Sequence, residues 1–223
     1  MTNDILTAFE SIGAEATIET RGFTFEIDVL RHEGREAFKL TCPWSDSILL
    51  NVRDVQPKMR HLVLDVTGPR GGARYLCGHD ERHWFVASLP FEFRSHRVLG
   101  AMESLKPAVV RREQKRKGVT HRRWRRKTAA YVRQGEWFFL PRPMMHVGEL
   151  AVRNGELSRG GGKPHRAEWL YRPPGGDETF VRGEISHPDH ATICLQVWHR
   201  VVQNNEAPPE PAARPVARMT YLD

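Results

Sequence analysis

Apolar residues at Ile5, Leu6, Phe9 and Ile12 recur at helical spacing behind Asn3 and Asp4, which can cap, and predict a short opening helix over 4–12. From 15 to 67 the period changes to two: Phe23, Phe25, Ile27 and Val29, then Phe38 and Leu40, then Ile48, Leu50 and Val52, then Leu62, Leu64 and Val66. Turn signals separate these runs at Arg21-Gly22, His32 to Gly34, Pro43 to Asp46, Gln56-Pro57 and Gly68-Pro69. The pattern predicts an antiparallel meander with one face on a core. Two further strands, Ala73–Cys77 and Trp84–Leu89, flank the polar string CGHDERH.

The middle of the chain reads differently. Val98, Met102, Leu105 and Val109 are four, three and four apart and predict a helix from about 95, with Pro107 opening a second one. Gly118 breaks it, and Thr120 restarts a helix reaching Arg133. Strands resume after Gly135: Trp137–Leu140, a hairpin at Leu150–Val152 turning on Asn154-Gly155, Glu168–Tyr171, Phe180–Ile185 and Ile193–Val202. The expected architecture is α+β, with two antiparallel β-rich halves (1–92 and 135–206) separated by a helical, Arg-rich segment (93–134) and followed by a Pro-rich tail (207–223).

Composition narrows the class. With 223 residues, 39% hydrophobic and 27% charged, the chain has material for a proper core. Three widely spaced cysteines (Cys42, Cys77 and Cys194) do not make a disulfide framework, so reduced thiols are expected. The opening residues lack a basic stretch followed by an apolar run, and no apolar run is long enough to span a bilayer. A soluble cytoplasmic protein without a membrane partner is the expectation.

The net charge is +7. Residues 111–127, RREQKRKGVTHRRWRRK, contain ten Lys or Arg and one acid, Glu113. Outside that stretch acidic residues slightly outnumber basic ones, so the positive charge is one local stripe. Such a stripe repels itself and calls for a polyanion. Arg exceeds Lys seven to three here, and its planar fork grips phosphates with two hydrogen bonds. The expected nucleic-acid-binding residues, for RNA or DNA, are Arg111, Arg112, Lys115, Arg116, Lys117, Arg122, Arg123, Trp124, Arg125, Arg126 and Lys127. Trp124 would stack on an unpaired base or anchor the segment to the protein body.

Eleven histidines are the other chemical resource. Cys77, His79 and His83 form C-x-H-x3-H, a partial zinc set that would need a distant fourth ligand such as His165, His187, His190 or His199. The alternative is a turn whose polar groups bond one another. No cofactor is required by the sequence; zinc or another divalent metal is the one to consider. His187-Pro188-Asp189-His190, with Lys163, His165 and Glu168, would supply acid, base and cation for phosphodiester chemistry. Candidate catalytic residues are His79, His187 and His190, with His79 and His187 as an acid/base pair across a cleft. A tight interstrand loop is the plain reading of the same four residues.

Two resemblances follow from strings in the chain. YRPPGGDETFVRGEISHPDHATICL (171–195) resembles the nucleophile region of ubiquitin-conjugating (E2) enzymes through Pro173-Pro174, His187-Pro188 and Ile193-Cys194-Leu195. That resemblance implies thioester transfer on Cys194, although Asp189 stands where the family has asparagine and the His187–Cys194 gap is short. A buried strand cysteine is the ordinary alternative. CGHDERHWFVA, RQGEWFF and HPDHAT are similar to strings of an uncharacterised bacterial family, which implies no activity. The leading expectation is a nucleic-acid-binding protein, with an accessory role in a larger nucleoprotein complex as one setting for it. A His-dependent phosphodiesterase or nuclease, with or without a metal, comes second, and E2-like transfer third.

Overall fold

The structure is a computed structural model and describes residues 2–44, 48–69, 71–119, 125–159 and 163–207. It corrects the expected α+β class. Among the described residues 51% are strand and 15% helix, in three sheets with three short α-helices. The chain forms two compact units that divide after Leu105 and again before Asn205. The supposed central helical segment is therefore split: its first helix belongs to the first unit and its second helix to the second.

The first unit opens with α1 (Thr2–Ser11), which buries Ile5 and Phe9. Strands β1 (Glu15–Thr20), β2 (Glu26–His32) and β3 (Arg35–Cys42) form a sheet in the order β1-β3-β2. The expected all-antiparallel meander fails at β1, which pairs in parallel with β3. The tight Glu33-Gly34 turn, both residues at positive φ, ties β2 to β3 as a hairpin and leaves the other edge of β3 for β1. Strands β4 (Leu49–Gln56), β5 (His61–Gly68), β6 (Gly71–Asp80) and β7 (His83–Ser88) make the antiparallel meander that the sequence pattern describes. One core joins α1 and both sheets, with Phe9, Phe25, Phe38, Leu62, Leu64, Tyr75 and Trp84 inside it. Helix α2 (Val98–Ser104) buries Val98, Ala101 and Met102.

The second unit begins with α3 (Ala108–Arg116), capped at Pro107. Six antiparallel strands follow: β8 (Val132–Gln134), β9 (Trp137–Pro141), β10 (Val152–Leu157), β11 (His165–Tyr171), β12 (Thr179–His187) and β13 (His190–Gln203), in the order β10-β11-β12-β13-β9-β8. Strand β9 is buried on both faces. Trp137 and Phe139 enter a core with Leu170, Val181, Ile185 and Leu195, whereas Phe138 and Leu140 pack with Val110 of α3 and with Tyr131. This two-sided burial explains why WFFL reads as a continuous apolar run.

Two further expectations change here. Asn154-Gly155 does not turn a hairpin: it lies inside β10, which pairs along its length with β11. Gly155 approaches Leu170 so closely that a Cβ would sit 2.4 Å from the Leu170 Cβ. The helix drawn to Arg133 is also absent over its described part. Lys127 bridges to Val132, and 132–134 is strand, because Tyr131 and Val132 pack against β9 and α3. Residues 120–124 and the Pro-rich tail from 208 onward lie outside the described residues.

Candidate functional site

Three histidines of the second unit come together at one end of the sheet. The β11–β12 register pairs Arg166 with Ser186, so one further step sets His165 opposite His187. The β12–β13 hairpin then pairs His187 with His190 across Pro188-Asp189. Three adjacent strands thus present imidazoles in one row. Ring centroids are 4.1 Å apart for His165–His187, 4.8 Å for His187–His190 and 5.5 Å for His165–His190, with planes 22–30° from parallel. One nitrogen from each ring falls within 4.8 Å of the others, so these three side chains can hold a metal ion.

The electrostatics favour a neutral ring at His165. His165 is 1% exposed, and burial, reinforced by the neighbouring His187 and His190, pushes its pKa down to about 3. Both of its ring nitrogens are buried without a hydrogen-bond partner, as are the Trp137 indole nitrogen and the Gln134 carbonyl oxygen. Each such group costs about 1–3 kcal/mol, so their grouping is costly unless something fills their valences.

His187 is fixed differently. Its Nε2 donates to the Lys163 carbonyl at 3.1 Å, and its Nδ1 accepts the Asp189 backbone N–H at 3.1 Å, which defines the tautomer. The Lys163 ammonium lies 3.7 Å from the Asp189 carboxylate.

The β8–β9 turn covers this row. Gln134 donates from its amide to the carbonyls of Ala191 at 2.7 Å and Ile185 at 3.3 Å, which seats the turn on the β12–β13 hairpin. Gly135 follows at φ +55°, and a Cβ there would lie 2.7 Å from His190 Nε2 and 3.4 Å from His165 Nε2. Those two nitrogens therefore border a space that only glycine leaves open.

The other histidine set does not converge. Cys77, His79 and His83 are not among the groups of clustered ligand atoms in the described residues. Cys77 is fully buried in the first unit's core, and burial pushes its thiol well up, away from the thiolate a metal needs. The His79 ring meets Trp84 edge-on at 5.0 Å, and burial, with the nearby Arg60 charge, holds it below the usual histidine range. His83 Nδ1 bonds the Glu36 carboxylate at 2.7 Å, and the same carboxylate accepts the Trp84 N–H. His79 lies in the first unit and His187 in the second.

Glu168, grouped with His165 by sequence, is engaged elsewhere on its strand, where it accepts the Glu184 N–H at 3.1 Å. Cys194 is exposed in the middle of β13, not buried, and accepts from the Gln196 amide. The chain continues past it as strand to Gln203.

In the basic segment, α3 turns Val110 and Gln114 inward and Arg111, Arg112, Lys115 and Arg116 outward. Arg111 donates to the Lys106 carbonyl, and Arg116 grips Glu113 at 2.7 and 3.0 Å. Arg142 shares that carboxylate at 3.9 Å. Arg112, Lys115, Lys117, Arg125 and Lys127 are exposed with no carboxylate at ion-pair distance among the described residues. Arg126 is half-buried and engaged. Arg122, Arg123 and Trp124 lie outside the described residues.

The sequence offered His165 both as a distant zinc ligand and as a companion of His187 and His190 in acid–base chemistry, but gave no sign of Gln134 and Gly135. The available signal was the strand register, which a chain read alone does not supply. No protein-family model, curated protein or solved structure matches this chain at a significant level.

Proposed function

We propose that this protein binds the phosphate backbone of RNA or DNA through residues 111–127 of its second unit. One observation carries the reading: five exposed cations of the segment have no carboxylate partner among the described residues, since Glu113, its sole acid, is already shared by Arg116 and Arg142. Charge left uncompensated by the protein itself is available to phosphates, and each phosphate contact releases condensed counterions. Five such contacts would give a salt slope of about −4.5 on duplex DNA. An accessory role in a nucleoprotein complex fits the same surface.

The test is binding of fluorescently labelled single- and double-stranded oligonucleotides by the full chain at several salt concentrations. Neutralising Arg112, Lys115, Lys117, Arg125 and Lys127 to Gln should weaken binding to every sequence and flatten the salt slope. Unchanged affinity in that variant rejects the reading.

One observation favours a second reading, a His-dependent phosphodiesterase or nuclease. The basic residues Arg125 to Lys127 run within a few residues into β8, whose far end is the Gly135 turn over His165 and His190. Lys127 bridges to Val132 and the Arg126 carbonyl accepts the Arg133 N–H, so these residues lie alongside β8, whose three residues rise about 3.3 Å each toward the turn. A backbone held by the cations would pass close to the imidazoles. A divalent ion of the zinc class on that cluster would activate water for attack at phosphorus. The P–O bond to the departing oxygen would break as the new one forms, and that oxygen would take up a proton equivalent to the one released by the attacking water. Loss of oligonucleotide cleavage in His187→Ala with binding retained is the expected result.

A further inference from the structure

We propose that His165, His187 and His190 form a binding site for one divalent transition-metal ion, with three imidazole ligands and a remaining coordination position for water or substrate. The site is built by the β11-β12-β13 register and stands whether or not the chain binds nucleic acid; only its role in hydrolysis rests on the phosphodiesterase reading.

Four observations converge. A 1% exposed histidine has two ring nitrogens without partners, and it stacks on two other imidazoles instead of burying an apolar residue there. The ligand set is all nitrogen, which suits zinc, cobalt, nickel or copper and is a poor match for magnesium or calcium. Gly135 keeps clear the space beside the Nε2 atoms of His165 and His190. Finally, His187 donates its Nε2–H to the Lys163 carbonyl, the arrangement by which a ligating histidine is oriented from behind with its other nitrogen left to coordinate.

Coordination requires a defined adjustment. Metal–nitrogen bonds of about 2.0–2.1 Å bring ligand atoms closer together than the 4.8 Å limit within which they now fall. The rings must swing out of their stack so that their nitrogens converge. His187 Nδ1 exchanges the Asp189 N–H for the ion while its bond to Lys163 persists. His187 and His190 flank a two-residue turn and are only partly buried, so this adjustment falls on rings less enclosed than His165. Three protein ligands instead of four make this an open site of the catalytic kind, not a closed structural one.

The test uses the full chain, stripped by dialysis against a chelator and titrated with zinc and, in parallel, with cobalt(II). The expected result is one tightly held ion per chain and cobalt absorption bands of a four- or five-coordinate nitrogen site. Removing even an outer-shell partner of a metal commonly costs 10- to 100-fold in affinity, so His187→Asn/His190→Asn should bind at least about a hundredfold more weakly. Its metal-free thermal melt should match the parent's; if it melts lower, His190→Asn alone carries the same comparison. His79→Gln/His83→Gln should bind as the parent does. Absence of saturable binding by the parent, or equal affinity in the parent and the His187/His190 variants, overturns the proposal.

Discussion

His165 on β11 and His187 on β12 stack with their ring centroids 4.1 Å apart and their planes 22° from parallel. Two antiparallel strands put them there, because the pairing of Arg166 with Ser186 leaves the next residue on each strand facing its counterpart. Two cationic imidazoles would repel at that distance. Burial of His165 keeps its ring neutral, so stacking and neutrality have the same origin. The relationship organises the whole end of the second unit, since His190 and Gly135 close on the same pair.

The metal-free protein should therefore gain stability when His165 is made apolar. Two buried nitrogens without partners are a standing cost, and leucine of comparable size removes both. His165→Leu is expected to raise metal-free unfolding free energy by about 1 kcal/mol and to abolish the gain that zinc confers on the parent. Denaturant melts with and without zinc make the comparison. A loss above about 2 kcal/mol in the metal-free form would mean that this imidazole is already well satisfied.

Gly135 and Gly118 offer a controlled pair. Both sit at positive φ, +55° and +64°, but a Cβ at Gly118 meets nothing within 4 Å, whereas at Gly135 it meets His190 Nε2 at 2.7 Å. Gly118→Ala should cost only the left-handed strain, about 1–2 kcal/mol. Gly135→Ala should cost at least about 1 kcal/mol more, because the His190 ring has to move. Equal losses for the two variants would show that the turn is not packed against His190 as described.

Legibility in the sequence followed the range of the interaction. Helix α1 and strand β4 were plain because each buries one face, and the 3.6- or 2-residue period records that face directly, whereas β5 is buried on both faces from His61 to Val66. The parallel placement of β1 against β3 was not readable, since periodicity reports faces and not partners. Asn154-Gly155 misled for a related reason: a turn dipeptide inside an edge strand is overruled when Leu157 and Leu170 supply the burial. In the basic segment, the charge of Arg112 and Lys115 was legible, but its helical continuation to Arg133 was not, because Tyr131 and Phe138 draw that stretch into the sheet. His187 and His190 stood out as neighbours in sequence. His165 joins them only through a strand register more than twenty residues away.

In the first unit, Asp65 on β5 lies between two guanidinium groups. Arg53 Nε reaches one carboxylate oxygen at 2.7 Å and Arg74 Nε the other at 3.1 Å, while Asp65 itself is 5% exposed. Replacing it with Asn keeps the shape but leaves two cations side by side with a neutral amide. Because both arginines are partly exposed, water screens the repulsion, and the expected cost is about 2–3 kcal/mol, less than for a fully buried pair. Denaturant unfolding of Asp65→Asn checks it; a change below about 0.5 kcal/mol would place this carboxylate among ordinary surface ion pairs.

Acid should destabilise the metal-free second unit. Burial lowers the pKa of both His165 and His199, with the Val197 carbonyl partly opposing and Arg142 assisting in the second case. In the unfolded chain both return to about 6.5. Below that pH the unfolded state binds protons that the folded state refuses, so stability is fully present above about 6.5 and falls as pH drops toward the folded values. For His165 the window extends down to about 3. Each group contributes a slope of at most about 1.4 kcal/mol per pH unit inside its window. Chelated protein unfolded by urea at pH 7.5 and 5.5 should thus be weaker at 5.5. His199→Asn, whose amide can donate to the Val197 carbonyl as the imidazole Nδ1 does at 2.7 Å, should lose less between the two conditions. A parent protein equally stable at both values would mean that these rings accept protons without leaving their places, and that burial does not hold them neutral.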